Sequence, residues 1–142
     1  MSRAVRKAAT VLLLSALATL AQAADRQEPE LSPAQKTAIA KQIATLRSSS
    51  DRQAAGRWSN SKKVAELICR PATLPILKKQ FPDADRVFLG TSDPKTLTLE
   101  TNAKLTGTGQ VRTSHGWQDF TFTCNVNPQT GKVTSFHSTN TP

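Results

Sequence analysis

The chain has 142 residues and a net charge of +9, with five Phe, two Trp, no Tyr, two Cys and two His. That is one domain's worth of sequence with an aliphatic core, large enough to fold without metals or many staples. The two cysteines lie outside a C-x-x-C spacing, which excludes thiol exchange, and two histidines leave too few ligands for a metal centre.

Residues 1–23 read as a secretory signal peptide. Arg3, Arg6 and Lys7 precede an apolar run from Ala8 to Ala21, and Ala21-Gln22-Ala23 forms a small-x-small cleavage site. The run is shorter than the ~20 residues that cross a ~30 Å hydrocarbon layer, and Ser15 and Thr19 interrupt it. No transmembrane span is therefore expected in the mature protein, which would be periplasmic or secreted. Cleavage after Ala23 removes three cations and leaves 119 residues at +6. Residues 24–32 read as a short disordered leader, and residues 33–142 as a single α+β domain.

Ser32-Pro33-Ala34-Gln35 starts the first helix, with Ser as N-cap, Pro at the first position and Gln placed for a capping box. Ile39, Ile43 and Leu46 give it one apolar face, and Ser48 to Ser50 should end it. A connection is expected up to Asn60. The spacing predicts a second helix from Ser61 to about Arg70, stopped by Pro71, and a third from Thr73 to Gln80. Beyond Pro82 the period changes from 3.6 to 2. Strands are predicted at Arg86–Gly90, Thr96–Glu100, Lys104–Arg112, Trp117–Val126 and Lys132–Ser138, separated by Asn, Asp, Gly and Pro turns. Two or three helices followed by an antiparallel meander of four to five strands make an α+β domain. In an exported chain Cys69 and Cys124 should form a disulfide tying the second helix to the fourth strand. In the third strand Gly107 and Gly109 share a face with Leu105 and Val111, leaving room for large rings or a helix.

The stretch from Ser61 to Phe136 holds Ile68-Cys69-Arg70-Pro71-Ala72, Asp85-Arg86-Val87-Phe88-Leu89-Gly90 and Gly107-Thr108-Gly109. It also holds Gly116-Trp117 leading into Phe120-Thr121-Phe122-Thr123-Cys124, then Thr130-Gly131-Lys132-Val133. It resembles small exported proteobacterial domains of unknown function, including the BspC-like group. The resemblance implies a periplasmic or secreted domain, for some such proteins with a role at the host interface. It carries over no catalytic residue.

No catalytic set emerges from the residues. Ser114, His115 and Asp119 could be assembled into a triad, but neighbours on one hairpin rarely meet its geometry. Asp83 and Asp85 beside Arg86 read as a solvated turn with an Asp85–Arg86 ion pair. Neither an enzyme nor a cofactor is expected. Charge is more informative, because residues 33–81 carry +8 while residues 82–142 are neutral. Lys62, Lys63, Arg70, Lys78 and Lys79 are candidate contacts for an anionic envelope component. A protein partner reached through the Ser114–Trp117 hairpin loop is the alternative. Nucleic acid is not expected as a partner, with only Trp58 and Trp117 able to stack on bases. Trp117 is out of phase with Phe120 and Phe122. Packing alone favours a bulge near Gly116 that turns it into the core; otherwise it is an exposed aromatic and a candidate contact.

Overall fold

The computed structural model describes residues 27–141, so the predicted signal peptide lies outside the described residues. Helices α1 (Pro33–Ala44), α2 (Ser49–Gly56) and α3 (Asn60–Val64) are followed by a π-helical turn (Ala65–Cys69) and α4 (Arg70–Leu77). Then come β1 (Arg86–Leu89), a 3₁₀ turn (Pro94–Thr96), β2 (Leu97–Thr101), β3 (Lys104–Thr113), β4 (Gly116–Asn127) and β5 (Lys132–Asn140). Helices precede a fully antiparallel sheet, an α+β domain with one disulfide.

The capping box at α1 is formed. Ser32 Oγ accepts from the Gln35 backbone N–H at 3.1 Å, and Gln35 Oε1 accepts from the Ser32 N–H at 2.9 Å. Gln35 is fully buried, and its amide also donates to the Asn102 carbonyl in the β2–β3 turn. One polar side chain thus starts the helix and docks it on the sheet. The residues just before it are also held in place. Leu31 is buried, and both oxygens of Glu28 accept from the backbone N–H groups of Asn60 and Ser61 that open α3. A carboxylate there satisfies orphan donors and meets the positive end of the helix dipole. The described part of the leader, residues 27–32, is therefore docked on the domain rather than loose.

Two helical expectations are corrected. Residues 49–56, read as a connection, form α2. Ser48 caps it through the Asp51 N–H at 3.0 Å, and Asp51 in the first turn complements the dipole. With only Ala55 buried, α2 has too small an apolar face to show a period. Pro71 does not stop the helix either. Residues 60–77 run on as one rod, because the turn before the proline widens. The Arg70 N–H bonds to the Ala65 carbonyl, an i→i+5 bond. Pro71 has no N–H to give, and its ring would crowd the Leu67 carbonyl in a regular turn; a π turn relieves both.

β3 and β4 form a ten-pair ladder from Lys104↔Asn125 to Thr113↔Gly116, and β5 lies on the other side of β4. β1 and β2 share the free edge of β3, β2 pairing its first half and β1 its second. The core face of the sheet meets the helical rod. The Cys69–Cys124 disulfide joins the π turn to β4 with both cysteines fully buried. Gly109 lies opposite Phe120, and a Cβ there would come within 2.5 Å of the Phe120 ring. The expected space above Gly109 is filled by a ring.

Candidate functional site

The structure sorts the residues singled out from sequence onto two surfaces, the exposed side of the helical rod and the uncovered face of the sheet. On the rod, Lys62 and Lys63 lie in the last turn of α3. Lys62 Nζ sits 5.0 Å above the Trp58 ring, which holds the ammonium in place without neutralising it. Arg70, by contrast, pairs with Glu66 at 3.2 Å one turn back. Lys78 and Lys79 follow α4, exposed at its C-terminal end. Sixteen residues of helix separate Lys62 from Lys78, roughly 24 Å at the usual rise. That is several Debye lengths at physiological salt. The rod therefore presents two lysine pairs at its ends, with a compensated Arg70–Glu66 between them, rather than one dense patch.

Trp117 is 44% exposed, on the outer face of the sheet. The β3–β4 ladder is regular from Thr113↔Gly116 onward, so no bulge turns it inward, and the strand alternation decides. It does not stand alone. Phe88, 39% exposed, stacks on it at 5.5 Å between centroids, and the Arg112 guanidinium lies 5.8 Å from the ring centre. Phe88 is legible in the sequence only as one residue of a strand; its pairing with Trp117 depends on β1 joining the far half of β3. Arg112 in turn makes a bidentate pair with Asp85 at 2.7 and 2.8 Å. That corrects the expected Asp85–Arg86 pair. Arg86 lies directly across from Arg112, and the planar fork of Arg112 is the one that fits the carboxylate. Hydrogen bonding to Arg112 holds the Asp85 carboxyl below its ordinary range and raises Arg112.

The hairpin residues considered as a triad are committed elsewhere. Asp119 accepts from Gln110 Nε2 at 2.7 Å, and Ser114 donates its backbone N–H to Asp83 at 2.6 Å. Hydrogen bonds from the Ser114 hydroxyl, then from its N–H, keep the Asp83 carboxyl low. His115 Nδ1 is 3.2 Å from Ser114 Oγ, but both are exposed, and Asp83 accepts from Ser114 rather than from the imidazole. The other histidine, His137, lies on the outer face opposite Thr123, beside a shallow hollow of about 280 Å³ lined by Thr106, Thr121 and Thr139. Among the described residues, no three His, Cys, Asp or Glu side chains are grouped to hold a metal ion. No helix among them is long and apolar enough to cross a membrane. No family model, curated protein or solved structure matches this chain.

Proposed function

We propose that this chain is an exported, non-enzymatic binding domain that engages an anionic component of the cell envelope through the cations of its helical layer. The signal-peptide pattern, a buried disulfide suited to an oxidising compartment and the likeness of residues 61–136 to BspC-like exported domains support the location. One observation carries the choice of partner. Lys62, Lys63, Lys78 and Lys79 make no ion pair among the described residues, whose carboxylate partners serve Lys36, Arg70, Lys104 and Arg112. Four uncompensated ammonium groups on one layer attract polyanions such as lipopolysaccharide or phospholipid headgroups. Charge reversal of all four should abolish retention on anionic vesicles at physiological salt, while Lys104→Glu, on the sheet, should leave it unchanged. Equal retention of wild type and the fourfold variant would end this reading.

A second reading, a protein-directed inhibitor or host-interface effector, is favoured by the exposed Phe88–Trp117–Arg112 cluster beside the Ser114–Trp117 hairpin. Trp and Arg are the residues enriched where protein interfaces concentrate their energy. On this reading Trp117→Ala weakens capture of the partner, and vesicle retention stays intact.

A further inference from the structure

A groove of about 780 Å³ opens between α1, the helical rod and the β4–β5 turn. Its volume falls within the range of small-molecule sites. The N-terminal end of α1 is anchored on the β4–β5 turn. Ser32 Oγ donates to the Pro128 carbonyl, and Gly131 fits against Ala34 and Ala38 so closely that a Cβ on it would lie 3.1 Å from Ala38 Cβ. Farther along, Ile39 packs α1 into the core, while Ala38 and Lys41 line the groove across from Pro71.

The walls and the rim differ in kind. Leu67, Ile68 and Pro71 from the rod and Val133 from β5 supply apolar surface. Lys41 from α1 and Lys132 from the start of β5 stand at the edge, both exposed, and among the described residues no Asp or Glu lines the groove. Neither lysine is ion-paired among the described residues. From sequence Lys41 is simply a solvated helix cation and Lys132 the first residue of a strand. Only the fold brings them to one opening.

We infer that this groove binds a single-chain anionic amphiphile, an acyl chain ending in a carboxylate, with the chain along the apolar walls and the carboxylate at the two lysines. This rests on the reading of the domain as a binder of anionic partners and narrows the partner to a molecule that enters a concavity. A recessed apolar wall cannot insert into a bilayer, whereas it can cover one acyl chain. Two cations with no carboxylate of the described residues lining the groove beside them select against a neutral or cationic head group.

The test is titration calorimetry of the purified, oxidised protein with decanoate below its micellar concentration, beside hexanoate and decanol. Decanoate should bind saturably at one site. Hexanoate should bind at least about tenfold more weakly, since each methylene buried contributes up to ~0.8 kcal/mol. The double variant Lys41→Gln, Lys132→Gln should weaken decanoate about tenfold and leave decanol unchanged. Both positions are exposed, so thermal melting should match wild type. Ala72 also lines the groove, so Ala72→Leu, which narrows it, should weaken both ligands. Absence of saturable decanoate binding, or equal binding by the double variant, overturns the inference. Vesicle retention lost on reversing Lys62, Lys63, Lys78 and Lys79 with decanoate binding intact supports both readings independently. Decanoate binding without vesicle retention removes the surface reading and keeps the groove. Vesicle retention that needs Lys41 and Lys132 without any decanoate binding makes the rim a bilayer contact and overturns the groove.

Discussion

The two faces of β4 share one backbone and alternate residue by residue, yet they do opposite things. On the core side Phe120, Phe122, Cys124 and Val126 are all buried, Phe120 to 1% exposure. On the other side Trp117, Asp119 and Thr121 are exposed. The helical rod covers only the first face, and nothing in the described chain covers the second. Hydrophobicity alone does not sort them, since the largest aromatic of the strand lies outside. What sorts them is parity together with the single covering layer. Trp117 remains out because the strand is regular, and it recovers part of its burial from Phe88 and the Arg112 stem across the sheet. Burial energy is therefore concentrated on the covered face.

Breaking the covered face should cost the most. The disulfide spans 55 residues, and a crosslink over a loop of that length raises stability by about 4 kcal/mol through the unfolded chain. Replacing Cys69 and Cys124 together by Ser should lower the urea unfolding free energy by about that amount. Part of the loss should persist in the paired Ala variant, which leaves no buried hydroxyl to desolvate. If instead the reduced wild type unfolds at the same urea concentration as the oxidised protein, the crosslink contributes nothing to the covered face.

Adding a methyl to the covered face of the sheet, on β3, should do less. In Gly109→Ala the new Cβ would meet the Phe120 ring at 2.5 Å and the Phe88 carbonyl oxygen at 2.8 Å. One is a buried side chain and the other is backbone, so neither yields freely. A loss of about 1–3 kcal/mol is expected from overpacking. Gly56, in the last position of α2, has nothing within 4 Å of its Cβ position. Gly56→Ala should stabilise the protein by about 0.4–1 kcal/mol by restricting the unfolded chain. Thermal melts of the two variants should move in opposite directions.

Much of this architecture is legible in the residues alone. The change of period at Pro82 separates helices from strands, and Ser32 and Gln35 mark α1 because a capping box is a local device. The cysteine pair follows from compartment and number. Three features are not legible, each for a physical reason. α2 buries one alanine and so leaves no periodic trace. Pro71 is a valid stop signal in a regular helix, and its tolerance depends on a π turn that no local rule announces. The Asp85–Arg112 pair, the Phe88–Trp117 stack and the lysines of the groove each join residues distant in sequence. Their meeting is set by how β1 and β2 divide the edge of β3 and by where α1 docks. The groove and the open-face cluster belong to this last class, whereas the rod lysines Lys62, Lys63, Lys78 and Lys79 are already legible as a basic run in the sequence.

The smallest effect is expected on the open face, and it has a definite sign. The Asp85 carboxyl is held below its ordinary value of 3.8 by the hydrogen bonds from Arg112. A lowered carboxyl contributes stability that is present above the unfolded-state value and is lost as pH falls through the lower folded-state value. The contribution of the pair is therefore intact at neutral pH and disappears below about pH 4. Because both groups are exposed and solvent screens them, the gain is slight. Asp85→Asn should reduce the difference in urea midpoint between pH 6 and pH 2.5 relative to wild type, leaving the midpoint at pH 2.5 nearly unchanged. The Trp117 ring lies 5.8 Å from the same Arg112 guanidinium, so tryptophan fluorescence followed over that pH range should shift in wild type and stay flat in the variant. A wild-type midpoint that rises as the carboxylates protonate would reverse the assigned sign, and the pair would then be a burden on the open face rather than its anchor.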